Sequence, residues 1–186
     1  MHRRAYTLVE ILIVVAILAL AGAMVVPALS SVHVLRVQAA VRTVVADITY
    51  AQSNALAFQE PRAIVFDEES NGYVLVEVPG DVVDPINSAV YDPRGPGQRY
   101  AVDFTLPHFA GSRIANVNFD GESTLIFDAL GGPVRRPGSD EPGSGGSLDV
   151  VGSMSTFRIR VAPFTGRVTV EELEAAPEDP EAEPDA

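Results

Sequence analysis

The sequence predicts an α+β chain in which one long N-terminal helix, half membrane-type and half amphipathic, packs on an antiparallel β domain. Three observations carry this. Ile11 to Leu29 holds only aliphatic residues, Ala, Met, one Gly and one Pro. A three-and-four apolar spacing then continues to about Phe58. Beyond Pro61 the pattern changes to short alternating runs rich in Val, Ile, Phe and Tyr, separated by Gly, Pro, Asn and Asp.

The first segment is set by length and charge. At 1.5 Å per residue Ile11–Leu29 covers about 29 Å, close to a hydrocarbon thickness of about 30 Å. Between Tyr6 and Arg36 the chain has a single charged residue, Glu10, at the start of this run. A carboxylate in such a position costs roughly 2.5–3.5 kcal/mol at a helix centre on insertion scales, so it requires a partner. No cation lies within two turns C-terminal to it. The available positive groups are Arg3, Arg4, or a new amino terminus created by cleavage between them and Glu10.

The second segment carries Val34, Val37, Val41, Val44, Ile48, Ala51, Ala55 and Phe58 on one stripe, with Arg36, Gln38, Arg42, Thr43, Asp47, Gln52 and Ser53 on the other faces. Pro61 stops it. The two segments together make a helix of about 50 residues, roughly 75–80 Å long.

Strands are expected at Arg62–Asp67 and Tyr73–Val78, joined through an Asn71-Gly72 turn, then at Tyr100–Leu106, Ile114–Asp120 and Ser123–Asp128. A final pair, Thr156–Ala162 and Arg167–Glu171, turns through Pro163-Phe164-Thr165-Gly166. The stretches 79–98 and 131–152 are rich in Pro and Gly and are read as surface loops, the second as mobile. Within it Gly143-Ser144-Gly145-Gly146 lacks a following Lys-Ser/Thr and is read as a linker, not a phosphate cradle.

The formal charge is −12, but eight of the 25 acidic residues lie from Glu171 onward, in a Pro- and Ala-rich stretch without a base. That tail is expected to be disordered. Nucleic acid is not an expected partner, because no basic, aromatic-interleaved patch exists. Cysteine is absent, which removes disulfide and thiol chemistry. The three histidines are scattered, and Asp67, Asp120 and Asp128 read as turn-formers at strand ends, so no metal, cofactor or catalytic site is expected. No nucleophile elbow, zinc-protease or P-loop pattern is present. Arg135-Arg136 is read as a solvated basic spot.

Three readings of the N-terminus follow from the residues: a secretory signal with small residues at Ala19, Ala21 and Ala23, a static anchor held by Arg3 and Arg4, and a short cleaved leader. Arg3-Arg4-Ala5-Tyr6-Thr7-Leu8-Val9-Glu10 resembles the type IV prepilin cleavage box, with Ala5 where that family usually has Gly. The resemblance implies cleavage between Ala5 and Tyr6 by a prepilin peptidase and N-methylation of Tyr6. It implies assembly roles for Thr7 and Glu10, and a helix-bending role for Pro27. Phe127-Asp128-Ala129-Leu130-Gly131-Gly132-Pro133-Val134, Phe157–Val161, Pro163–Val168 and Ala51–Ala57 are similar to the GspH/FimT group of minor pseudopilins and minor pilins.

The organisation expected is a leader (1–5), a transmembrane and assembly helix (6–29), an amphipathic helix (30–59), an antiparallel β domain (60–171) and an acidic tail (172–186). The resemblance implies a non-enzymatic subunit of a type II secretion pseudopilus. It would cross the bacterial inner membrane once, with its C-terminal domain in the periplasm. Its partners would be other pseudopilins, the prepilin peptidase and an inner-membrane assembly platform. Two alternatives stay open: a FimT-like minor pilin of a twitching or DNA-uptake pilus, and a membrane-tethered ligand-binding module using the two long loops.

Overall fold

The computed structural model describes residues 7–139 and 141–173, without the side chains of 22–34. Helix α1 spans Leu8–Phe58, 51 residues, and passes through Pro27. It ends at Gln59, which adopts a left-handed conformation (φ 54°) and donates its N–H to the Ala55 carbonyl, closing the last turn. Pro61 then forbids continuation.

The β part forms two antiparallel sheets. In the first, β1 (Arg62–Asp67) lies between β2 (Gly72–Glu77) and β5 (Thr124–Phe127), with β3 (Ala101–Asp103) and β6 (Pro133–Val134) at the edges. In the second the order is β4 (Arg113–Phe119), β7 (Gly146–Val151), β8 (Thr156–Val161), β9 (Val168–Leu173). The short connection Asp120-Gly121-Glu122 between the adjacent segments β4 and β5 does not close a hairpin ladder. β4 and β5 leave it for different sheets, sharing only the Phe119–Glu122 bridge.

Both sheets present apolar residues to one stripe of α1. Val37, Val41, Val44, Ile48, Ala51 and Ala55 are buried against Ile64, Phe66, Leu75 and Phe127 of the first sheet and Ile114, Leu148, Val150 and Ile159 of the second. The small Ala40, Ala51 and Ala55, all fully buried, let the sheets approach the helix closely. A second small core on the far face of the first sheet joins Ala63, Val76, Val78, Ile126 and Val134, with Val83 of the 79–98 loop packed on it. Burial on both faces explains why β1 and β2 read as continuous apolar runs instead of alternating ones.

Several expectations are corrected. Phe58, placed on the buried stripe, is 64% exposed, and the Arg62 guanidinium sits over its ring at 5.7 Å. Asp47, placed on the polar faces, is buried. β3 is three residues long, shorter than Tyr100–Leu106, because Asp103 turns the chain, its carboxylate accepting the Thr105 N–H at 2.7 Å. β9 extends to Leu173, two residues into the stretch expected as tail.

The largest correction concerns 131–152, which contains β6 and the whole of β7. β7 is an interior strand with Leu148 and Val150 fully buried. The supposed linker glycines are steric requirements: a Cβ on Gly146 would stand 2.2 Å from the Asn118 carbonyl oxygen. Arg135 and Arg136 are not merely solvated, since they lie 3.6 Å from Asp120 and 3.8 Å from Glu141.

Leu148→Ala is expected to lower the unfolding free energy of the detergent-solubilised chain by about 2–5 kcal/mol in denaturant titration. A change within about 0.5 kcal/mol, as at an exposed loop position, would contradict the burial of β7.

Candidate functional site

The helix start is built by Thr7. Its backbone is extended (φ −81°, ψ 151°), and its Oγ1 accepts the Glu10 N–H at 3.2 Å. Its carbonyl accepts from Glu10 at 3.1 Å and from Ile11 at 3.2 Å. Thr7-Leu8-Val9-Glu10 thus has the spacing of a capping box, and Glu10 is the acid of the first turn, where the helix dipole favours a negative charge. That capping role is legible in the sequence as Thr-x-x-Glu before an apolar run, and belongs to Thr7 beside any assembly role.

Glu10 is exposed and has no ion-pair partner among the described residues. Around it Leu8, Val9, Ile11, Leu12, Ile13, Val14, Val15, Ile17, Leu18 and Leu20 are all about half exposed or more, covered by no other part of the described chain. Among the described residues no helix is long and apolar enough to cross a membrane; the description of side chains breaks off after Ala21, inside the apolar run. Ala5 and Tyr6 lie outside the described residues. Pro27 lies in α1 with its side chain outside the description, and having no N–H it leaves the carbonyl one turn back without a helical donor.

The other end of α1 is fastened by polar contacts that periodicity does not reveal. Asp47 accepts the Tyr73 hydroxyl at 2.5 Å and the Tyr100 hydroxyl at 2.7 Å. Burial pushes its carboxyl above the usual range, and the two phenol donors oppose that rise. Burial, with the adjacent carboxylate, pushes both tyrosines up, so they stay protonated donors. Tyr50, one turn from Asp47, stacks on Tyr100 at 5.4 Å.

Gln52 donates through Nε2 to the Gly131 carbonyl at 2.7 Å and the Thr165 carbonyl at 2.9 Å. Three segments quoted above for their family resemblance, Ala51–Ala57, Phe127–Val134 and Pro163–Val168, therefore meet at one side chain. Asp128 shapes the second of them by accepting the Leu130 and Gly132 N–H groups at 2.9 and 2.8 Å. Gly166 sits at φ 63°, and a Cβ there would stand 2.5 Å from Gln52 Nε2.

On the outer face of the second sheet Arg158 grips buried Asp149 through two bonds, 2.7 and 2.8 Å, and Asn116 adds a third at 2.9 Å. The Arg158 bonds hold the Asp149 carboxyl below its usual range against the opposing effect of burial. Asp67 is spent on its own turn with Ser70, whereas Asp120 ties the end of β4 to the distant Ser144.

Residues 1–26 match the family described as the prokaryotic N-terminal methylation motif. The chain thus carries an N-terminal methylation motif. Its fold is similar to that of the minor pseudopilin EpsH from the type 2 secretion system of Vibrio cholerae, at 7% identity over 73% of this chain and 96% of that one, with a TM-score of 0.51. The type IV minor pilin FimU of Pseudomonas aeruginosa aligns at 16% identity over 73% of this chain and 87% of that one, with a TM-score of 0.46. No curated protein sequence matches the chain. The chain therefore joins an N-terminal methylation motif to an α+β fold similar to that of a minor pseudopilin.

Two expected outcomes follow for the pilin-like domain. Asp47→Ala strands the buried Tyr73 hydroxyl and the half-buried Tyr100 hydroxyl and is expected to cost about 1–3 kcal/mol, with Asp47→Asn costing less, both measured by thermal unfolding. Asp149 has the opposite linkage from Asp47. Its depressed value makes the Arg158 pair stabilising above the ordinary 3.8, and that contribution is lost as pH falls through the folded value. Asp47, being raised, contributes most below 3.8 and loses its contribution as pH climbs through its folded value. Arg158→Gln is therefore expected to lower stability at pH 7 by about 1–3 kcal/mol and to flatten the acid limb of the stability–pH curve; an unchanged acid limb would contradict the assignment.

Proposed function

We propose that this chain is a minor pseudopilin of a type II secretion system, a structural subunit built into a short periplasmic pseudopilus near its tip. The carrying observation is the first half of α1: a bare apolar helix that opens on one unpaired carboxylate. Cleavage between Ala5 and Tyr6 by the prepilin peptidase would leave an N-methylated amine on Tyr6, a positive charge one helical turn from Glu10. Within one helix the two groups lie along the same rod. In a stack of axially displaced protomers, Glu10 of one meets the Tyr6 amine of its neighbour.

Pairing offsets the desolvation of both charges and fixes axial register, because a shifted neighbour leaves two buried charges unmatched. The apolar helices then form the fibre core and cover one another, and the β domains coat the outside. Before assembly the same helix crosses the inner membrane once, with the β domain in the periplasm. Pro27 supplies the local weakness that lets the helix bend as the subunit leaves the bilayer. The partners in this reading are other pseudopilins and the inner-membrane assembly platform. The similarity of the fold to EpsH supports a pilin-like subunit, and a minor pilin of a type IV pilus is the alternative reading. The reading assigns the chain no catalytic activity.

Mass spectrometry of the native protein is expected to find a mature chain starting at methylated Tyr6. A start at Met1 would instead indicate a static anchor, and a start after Ala21 or Ala23 an exported domain. Glu10→Ala is expected to leave the protein stable in the membrane while abolishing its recovery in sheared fibre fractions; normal recovery would remove the charge pairing.

A further inference from the structure

An open cleft of about 680 Å³ lies at the Val161/Val168 end of the second sheet. Arg135, Arg160 and Arg167 line it, together with Asp120, Ser144 and Thr169. Asp120 is nearly fully buried and already engaged. Its carboxylate accepts the Ser144 N–H at 3.0 Å and the Ser144 hydroxyl, and lies 3.6 Å from Arg135 Nε. Arg135 and Arg160 keep 55% and 52% of their side chains exposed, and Arg160 leans on the equally exposed Glu171 at 3.5 Å. Arg167 makes no ion pair among the described residues. The lining therefore holds three guanidinium groups against one committed carboxylate, in a chain whose formal charge is −12.

We propose that this cleft is a carboxylate-binding site, and that its occupant is the chain's own acidic C-terminal segment, residues 174–186, returning alongside β9. Guanidinium forks match carboxylates bidentately, and all 13 basic residues of the chain are arginine. The segment carries Glu174, Glu178, Asp179, Glu181, Glu183 and Asp185 and no base. The register of β8 with β9 sets the geometry: Val168 pairs with Val161 at the cleft, and Leu173 pairs with Thr156 at the opposite end. A six-residue strand covers about 17–20 Å. Thirteen further residues reach at most about 43–47 Å. After a reversal over Ala175–Pro177, about five to seven residues of return bring Glu183 and Asp185 within range of Arg167 and Arg160.

Each exposed ion pair contributes little by itself and is screened by salt. Tethering replaces a bimolecular encounter by an intramolecular one at millimolar effective concentration, so several weak pairs act together. A nucleic acid fits the cleft less well. None of the lining side chains is aromatic, so bases find no stacking surface, and the acidic segment repels a phosphate backbone. The docked segment also lies along the unpaired edge of β9, which it would shield from pairing with a foreign strand. This inference does not depend on the secretion assignment.

The absence of cysteine makes Ala182→Cys a unique labelling position in the full, detergent-solubilised chain. With a nitroxide there, the amide signals of 144–147 and 167–169 are expected to lose about half their intensity or more at about 0.05 M salt. They should recover at about 0.5 M, where the screening length is roughly 4 Å. The Arg160→Gln/Arg167→Gln double variant is expected to show no such loss at low salt, with the rest of its amide spectrum unchanged. Full intensity at low salt in the parent chain, equal broadening in the double variant, or broadening that persists at high salt would each overturn the proposal. So would a short single-stranded oligonucleotide that displaces the labelled segment at equimolar concentration.

Discussion

A helix of 51 residues is about 76 Å long, and among its described side chains the β layers bury a stripe in the C-terminal portion, from Val37 to Ala55, and leave Leu8–Leu20 bare. Everything else about the molecule follows from that mismatch. Where the sheets cover α1, its apolar stripe is satisfied within the protomer. Where they do not, a run of Leu, Ile and Val is left for lipid or for other helices. The helix is thus shared between two environments, and the lone charge of its uncovered half is a matter for whatever supplies the second one.

The covered half is held by two kinds of force that do different jobs. Apolar burial against both sheets supplies the bulk of the attraction but little orientation, since Val and Ile tolerate sliding. Asp47 and Gln52 supply orientation. Asp47 accepts from two strands' worth of tyrosines, and Gln52 donates to two loops at the far end of the domain. Both fix rotation and translation of the helix against the sheets, because displacing it by one turn would leave buried donors and acceptors unmatched.

The two sheets are also unequal. The first is covered on its far side by the 79–98 loop, whose residues 88–91 bond to the β2 edge through Glu77, Leu75 and the Val90–Tyr100 pair. The second has an open outer face, with Asp149, Arg158, Arg160 and Glu171 arranged as cross-strand ion pairs. Its charge chemistry, and not that of the first sheet, is what faces the surroundings.

The sequence by itself determined the long helix, its stop near Phe58, most strand positions, and the N-terminal methylation motif. These are local properties: apolar period, a proline that cannot continue a helix, and a carboxylate placed where hydrocarbon is expected. Tertiary structure alone decided the rest. β7 was hidden because only Leu148 and Val150 alternate inside a Gly-, Ser- and Pro-rich stretch, and its strand character comes from the neighbours β4 and β8 on either side. Asp47 looked like a polar-face residue because helical spacing carries no information about two tyrosines 26 and 53 positions away. The meeting of three distant segments at Gln52 and the gathering of arginines at one sheet end are likewise non-local. Periodicity reports which side of an element turns inward, but only the folded chain says what waits there.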